Sequence, residues 1–168
     1  GTFQHSMQMS NLGEEIILKI GGNPFLVRAG ALYHDIGKVA TPEFFIENQA
    51  VGINPHDKIN YKQSAEIIIE HVKSGVKMAG KHKLPEALIE NPDKKIQDKS
   101  FIYPGPLPVS KEAAVVMIVD GIEAASRAMK EKTRENIEEL IENMVEQKIN
   151  DKQLEESELT FKDIKIIK

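Results

Sequence analysis

Apolar residues recur at three- and four-residue steps along almost the whole chain, and this spacing restricts the fold to packed helices. In chain order, the pattern predicts helices over 9–20, 24–35, 64–79, from Pro85 onward, 111–129, 134–149 and 157–168, with a short helical turn at 42–47 and a loop at 52–57. No segment shows the period-two alternation of a half-buried strand. The sequence therefore predicts an all-α fold.

Glycine and proline mark the boundaries between these segments. Gly21-Gly22 ends the first helix, and Asn23-Pro24 supplies a cap followed by proline at the first position of the second helix. Three prolines fall within five residues at 104–108, which forbids a helix there. The stretch 101–108 is therefore predicted to be a non-helical loop.

Composition limits the class of protein and the class of partner. A chain of 168 residues is predicted to form one domain, 1–168, with a real core. A net charge of −4 argues against a nucleic-acid polymer but allows a small anionic ligand in a cleft. No stretch approaches the ~20 apolar residues of a membrane helix, so the segment is expected to be soluble. With no cysteine, any metal must be held by His, Asp, Glu or water.

The dipeptide His34-Asp35 carries the strongest chemical signal. Imidazole beside carboxylate is a mixed nitrogen and oxygen ligand pair that suits Mn, Fe, Mg or Zn. Lys38 follows three residues later and can meet an anion. A buried histidine beside a helix-end aspartate is an equally good interpretation of a dipeptide taken alone.

Two further residues are candidate metal ligands because they accompany apolar helical faces. His5 shares a stripe with Met9, Leu12 and Ile16, although alone it is more often a satisfied buried histidine. Asp120 is predicted to lie in the middle of a buried stripe formed by Ala113, Val116, Met117 and Ala124. An unpaired buried carboxylate costs several kcal/mol, so a metal is its simplest partner and a core-facing Arg or Lys the alternative.

The remaining histidines and one arginine carry weaker signals. His71 lies on the line Ser64-Ile68-His71-Gly75, where small residues leave room beside the imidazole, but alone it is more often structural. His56 and His82 have polar, loop-like surroundings and are not predicted to be ligands. Arg127 follows Asp120 on the same predicted face and could meet a phosphate, or be solvated or ion-paired.

His5, His34-Asp35 and Asp120 reproduce the order H…HD…D of the HD-domain metal-dependent phosphohydrolases. Longer words are more specific: GTFQHS (1–6), GALYHDIGK (30–38), FIENQ (45–49), NPHD (54–57), YPGP (103–106) and DGIEAA (120–125). Over nearly its whole length the chain resembles the cytoplasmic HD domain of the seven-transmembrane HD phosphodiesterases, which hydrolyse cyclic di-AMP.

The resemblance implies an HD-domain helical bundle with two divalent metal ions, Fe or Mn. It implies that His5, His34, Asp35 and Asp120 hold one ion, and that Asp35 bridges to a second ion bound by His71. The metals would activate a water for attack on phosphorus. Asp35 and Lys38 are then the catalytic residues, Lys38 and Arg127 would offset charge on the phosphate, and Tyr103 could pack on an adenine.

The sequence departs from the family pattern after Glu90. The family continues with a His-His-Gly-Thr segment that completes the second metal site, whereas here Asn91 follows and no histidine occurs after His82. Either the segment is lost or a stretch between 90 and 91 is omitted, and the family-like sequence at 98–108 favours omission. As written, the first metal site is complete and the second lacks two ligands. Ile102 also stands where the family tends to have arginine.

The predicted function is hydrolysis of cyclic di-AMP to the linear dinucleotide. The alternatives are a degenerate HD domain that senses the cyclic dinucleotide without cutting it, and a one-metal HD nucleotidase. Because the chain begins four residues before His5, it is expected to be a domain cut from a longer protein. By resemblance, that protein is integral to the inner membrane and this domain is cytoplasmic, without direct membrane contact. The sequence leaves a homodimer open.

Overall fold

The structure, a computed structural model, describes residues 1–50, 52–86 and 107–168. These residues form six α-helices and no strand: α1 (Thr2–Ile20), α2 (Pro24–Tyr33), α3 (Tyr61–Lys81), α4 (Lys111–Ala128), α5 (Arg134–Asn150) and α6 (Phe161–Ile167). The all-α prediction is confirmed. The helix predicted from Pro85 and the loop predicted at 101–108 fall largely outside the described residues.

Four short 3-10 turns connect α2 to α3: Ile36–Ala40, Pro42–Phe44, Ile46–Asn48 and Pro55–Lys58. The turn predicted at 42–47 is thus present as two separate turns. The predicted loop at 52–57 is wrong in its second half, because Asn54 accepts a hydrogen bond from the backbone N–H of His56 and starts a turn at Pro55.

Side-chain caps set helix starts that apolar spacing could not locate. Asn60 and Gln63 form a capping box, so α3 begins at Tyr61 rather than at Ser64. Thr160 and Asp163 form another, so α6 begins at Phe161, four residues after the predicted start. In each case the polar cap lies just before the apolar pattern becomes regular.

The chain separates into two compact units. The first contains the described residues of Gly1–Gln4 and Tyr33–Pro106, and the second contains His5–Leu32 and Leu107–Lys168. The second unit holds the main apolar core, formed by Met9, Ile17, Ile20, Val27, Ala31, Val115, Ile118, Val119, Ile122, Val145 and Ile167. These residues come from α1, α2, α4, α5 and α6, so burial of apolar surface holds the five helices of this unit together.

The first unit is built on a close approach between a turn and α3. A Cβ atom placed on Gly37 would lie 1.8 Å from the backbone oxygen of His71 and 2.6 Å from the backbone nitrogen of Gly75. The 3-10 turn at Ile36–Ala40 can therefore touch the helix backbone because position 37 has no side chain. This contact fixes the turn beside His71.

Within the described residues, no helix combines the length and the apolar character that crossing a membrane requires.

Candidate functional site

In the first unit, Asp35 lies at the centre of a group of charged and imidazole side chains. Helix α2 ends at Tyr33, which places His34 and Asp35 in the turn before Ile36–Ala40. The Asp35 carboxylate is only 8% exposed. Its Oδ2 lies 3.1 Å from His34 Nε2 and 2.6 Å from Lys38 Nζ, and its Oδ1 lies 3.3 Å from His71 Nε2.

We call the five residues His34, Asp35, Lys38, Glu47 and His71 the Asp35 cluster. Burial alone would raise the pKa of Asp35, but hydrogen bonds with His34 and His71 and the charges around it outweigh that effect and hold the pKa well below its ordinary value. Asp35 is therefore an anion at neutral pH. A buried anion flanked by nitrogen ligands is a suitable partner for a cation.

Lys38 is held in place by two carboxylates. Its Nζ lies 2.6 Å from Asp35 Oδ2 and 2.6 Å from Glu47 Oε1, and 4.9 Å from the centroid of the Phe45 ring. Burial opposes its charge, but attraction to Asp35 and the bonds to both carboxylates raise its pKa. The ammonium thus points into the Asp35 cluster, and its side chain is only 16% exposed.

The hydrogen bonding of His71 indicates what its second nitrogen can do. His71 Nδ1 lies in hydrogen-bond contact with the backbone oxygen of Ile68, a position in which Nδ1 donates. His71 Nε2, on the other side of the ring, faces Asp35 Oδ1 at 3.3 Å. An imidazole nitrogen and a carboxylate oxygen that face each other are ligand types that a divalent metal ion takes, so this donor set fits such an ion.

The second unit contains another group, His5, Asp120, Glu123 and Arg127, which we call the His5 cluster. His5 is buried on α1, as its place on the apolar stripe predicts. Its Nδ1 contacts Glu123 Oε2, and its Nε2 lies 3.1 Å from Asp120 Oδ1. Arg127 Nη2 lies 3.0 Å from the same Glu123 oxygen.

The prediction that Asp120 lies in the middle of a buried face is wrong. Its side chain is 48% exposed. The buried face of α4 is a different one from the predicted stripe, and its residues are Ala114, Val115, Ile118, Val119, Ile122 and Glu123. Residues 113–119 are all apolar, so periodicity alone could not choose between the two faces.

Glu123 is the buried carboxylate of α4, and sequence reasoning missed it. Two signals could have found it: it continues the four-residue row of Val115 and Val119, and it stands four residues before Arg127 at ion-pair spacing. Leu12, predicted to share the stripe of His5, is instead exposed, because the buried face of α1 runs through Ser6, Met9 and Gly13.

The other predicted residues have simpler outcomes. His56 lies in the 3-10 turn Pro55–Lys58 and its ring forms two hydrogen bonds: its Nε2 lies 2.8 Å from the Phe44 oxygen and its Nδ1 lies 2.7 Å from Ser64 Oγ. His82 is exposed at the end of α3. Arg127 is ion-paired, one of the alternatives left open for it. Tyr103 and Ile102 lie outside the described residues.

Comparison with known proteins gives one consistent family. Residues 2–125 match the HD domain family. The chain is 38% identical to cyclic-di-AMP phosphodiesterase PgpH of Bacillus subtilis, over 99% of this chain and 26% of that protein. It is 39% identical to PgpH of Listeria monocytogenes, over 100% of this chain and 26% of that protein. The chain thus spans about a quarter of the length of these relatives.

Two solved structures of the L. monocytogenes PgpH HD domain are similar to this chain at 38% identity. One has a TM-score of 0.90, with 99% of this chain and 88% of the other covered. The other is that domain in complex with cyclic-di-AMP, with a TM-score of 0.91 and coverage of 99% and 87%.

Proposed function

Because the chain belongs to the HD-domain family, we propose that it is a metal-dependent phosphodiesterase that hydrolyses cyclic di-AMP to the linear dinucleotide. The Asp35 cluster carries this proposal, since a buried carboxylate between two imidazoles can hold a divalent ion of the kind that assists phosphate cleavage. The choice of nucleotide is supported by the similar HD domain that was solved in complex with cyclic-di-AMP.

HD domains bind divalent metals. We propose that His5, His34, Asp35 and Asp120 hold one ion, Fe or Mn, and that Asp35 and His71 contribute to a second. The order of these residues in the sequence and their nitrogen and oxygen donors support this assignment. The half-exposed Asp120 and the buried His5 of the second unit would supply one nitrogen and one oxygen ligand.

When bound, a divalent ion would supply Lewis-acid chemistry, activating water and offsetting charge on phosphate oxygens. The protein's own residues prepare for it. Asp35 stays ionised at neutral pH because His34, His71 and Lys38 hold its charged form. Lys38 places a positive charge beside Asp35, where it can offset the charge that develops on the phosphate in the transition state.

We propose that Tyr103 and Arg127 contact the substrate. An aromatic ring offers a stacking surface to adenine, and Tyr103 belongs to a sequence word shared with the family. Arg127 is 43% exposed, so its guanidinium can meet a phosphate oxygen as well as Glu123. Of the two, only Arg127 lies among the described residues.

We also propose that the chain is the cytoplasmic domain of an integral membrane protein. The chain spans 26% of each PgpH relative, which leaves most of such a protein to other segments.

Incubation of the chain with cyclic di-AMP and Mn²⁺, followed by chromatography of the linear dinucleotide, tests the proposal. Cyclic di-GMP should be run in parallel, and a mononucleotide should be added as competitor to detect a one-metal nucleotidase. We expect turnover of cyclic di-AMP in preference to both. Hydrolysis of the mononucleotide alone would contradict the proposal.

A second candidate is a sensor that binds cyclic di-AMP without cutting it. The specific observation in its favour is the direct passage from Glu90 to Asn91, with no histidine after His82 to complete a second metal site. Metal content separates the two functions: about two ions per chain favour the hydrolase, and one or none favours the sensor. Tight binding of cyclic di-AMP without turnover would select the sensor.

A further inference from the structure

We propose that Glu123 is a positioning residue for His5. Its carboxylate accepts a hydrogen bond from the imidazole Nδ1–H and thereby orients the other nitrogen, Nε2, as a metal ligand beside Asp120. This inference deepens the proposed function and rests on its metal site. It concerns binding of the ion, so it is tested separately from hydrolysis.

The geometry of the His5 imidazole supports the first step. Its Nδ1 contacts Glu123 Oε2, while its Nε2 lies 3.1 Å from Asp120 Oδ1. An ionised carboxylate can only accept a hydrogen bond, so the contact with Glu123 requires a proton on Nδ1. In the neutral imidazole, Nε2 then presents its lone pair on the side of Asp120.

The carboxylates of Glu123 and Asp120 differ in burial, which fits the positioning role of the first and the metal-binding role of the second. Glu123 is 8% exposed, whereas the Asp120 side chain is 48% exposed. The buried carboxylate can fix the imidazole rigidly, and the exposed one remains accessible to an incoming ion. Metal-binding histidines usually donate their second N–H to a carboxylate in this manner, which fixes the ring orientation and increases ligand basicity.

Arg127 holds Glu123 in one orientation. Its Nη2 lies 3.0 Å from Glu123 Oε2, the oxygen that also contacts His5 Nδ1. The two residues are one helical turn apart on α4, so the helix itself sets their spacing. A single carboxylate oxygen thus contacts both the guanidinium of Arg127 and the imidazole of His5. The imidazole cannot rotate without losing its hydrogen bond to Glu123.

The test compares the wild-type chain with Glu123→Met and Glu123→Gln after removal of metal. Methionine removes the acceptor at similar side-chain length, and glutamine retains a neutral carbonyl acceptor. Titration calorimetry with Mn²⁺ should give about 10–100-fold weaker binding for Glu123→Met, and a smaller loss for Glu123→Gln. The matched control is Glu138→Gln, which breaks an arginine ion pair on α5 far in sequence from any histidine and should leave Mn²⁺ affinity unchanged.

The second readout is long-range ¹H–¹⁵N NMR of the His5 ring, which reports which nitrogen carries the proton. We expect a proton on Nδ1 in the wild type and on Nε2 in Glu123→Met, with partial rescue in Glu123→Gln. Wild-type Mn²⁺ affinity in Glu123→Met would overturn the inference, and so would a proton that stays on Nδ1. If Glu123→Met does not fold, wild-type affinity in Glu123→Gln would overturn it instead.

These outcomes are independent of the substrate. A chain that binds Mn²⁺ through His5 in the expected way but leaves cyclic di-AMP intact would refute the proposed hydrolysis and keep the role of Glu123. A chain that hydrolyses cyclic di-AMP while Glu123→Met binds Mn²⁺ normally would support the proposed hydrolysis and refute the role of Glu123.

Discussion

Gly37 shows how a single residue determines whether the Asp35 cluster can form. An added methyl group at this position would lie 1.8 Å from the His71 backbone oxygen, so the turn would have to move away from α3. Gly80, near the end of α3, has open space around the same position. The two glycines therefore offer a matched pair of substitutions.

We expect Gly37→Ala to lower the free energy of unfolding by about 1–3 kcal/mol, because the turn and α3 become overpacked. Gly80→Ala should instead be neutral or stabilising by up to about 1 kcal/mol, because alanine is the better helix former. Urea unfolding of both variants measures the difference. Equal stabilities would contradict the close approach at Gly37.

Lys38 offers a second residue-level prediction. Lys38→Met would leave the buried carboxylates of Asp35 and Glu47 without their shared countercharge, which should cost roughly 1–3 kcal/mol of unfolding free energy after allowance for partial solvent screening. Lys19→Met removes an exposed ion pair with Glu15 on α1 and should have little effect on unfolding, because exposed pairs are screened by solvent. Thermal or urea unfolding of the two variants tests this; a loss at Lys19 as large as that at Lys38 would refute it.

The residues also show what the sequence could predict about the site. The sequence predicted which residue types form the site, because His5, His34 and Asp35 follow a recognisable order. It also predicted the burial of His5 from its apolar neighbours. The sequence could not predict which face of α4 is buried, because residues 113–119 are all apolar and allow two possible faces. The contact between Glu123 and His5 joins residues 118 positions apart, which no local pattern can predict.

At the level of secondary-structure elements, polar caps determine where the apolar patterns become helices. The positions of α3, α4 and α5 in the chain follow from spacing, and their first residues are set by backbone N–H groups that donate hydrogen bonds to the side chains of Asn60, Ser110 and Thr133. The 3-10 turns between α2 and α3 have no periodic signal at all, since each is three to five residues long. Elements of this length were therefore predicted poorly or not at all.

Helix α6 gives a pH-dependent prediction. Asp163 accepts hydrogen bonds from the Thr160 backbone N–H, from Lys111 Nζ and from the Thr160 hydroxyl, and these bonds lower its pKa to about 2. Because the folded pKa lies below the unfolded value of about 3.9, the stability from Asp163 is fully present above about pH 4 and is lost as the pH falls through about 2.

We therefore expect Asp163→Asn to be less stable than the wild type at neutral pH, with a difference that shrinks as the pH falls from about 4 toward about 2. Thermal unfolding across this range measures the difference. Asp151→Asn, which removes an exposed carboxylate at the end of α5, controls for the general effect of a lost negative charge. A wild-type advantage that stays constant down to pH 2 would contradict the role of Asp163.

At the level of the whole molecule, ligand binding and stability should be linked. An ion that binds the folded chain and not the unfolded one stabilises by mass action, by about 2.7 kcal/mol at a concentration 100 times the dissociation constant. We expect Mn²⁺ to raise the melting temperature of the wild type, and chelation to reverse the shift. Asp35→Ala should show a much smaller shift, and a full shift in that variant would contradict the assignment of Asp35 as a ligand.

The most direct test of the central claim is the rate at which the chain converts cyclic di-AMP to the linear dinucleotide under saturating Mn²⁺, compared among wild type, Asp35→Ala and Asp151→Ala. Loss of several kcal/mol of transition-state stabilisation predicts a fall of more than about 100-fold for Asp35→Ala. Asp151→Ala, which removes an exposed aspartate of the second unit, should retain the wild-type rate. Hydrolysis that continues unchanged in Asp35→Ala would contradict the account.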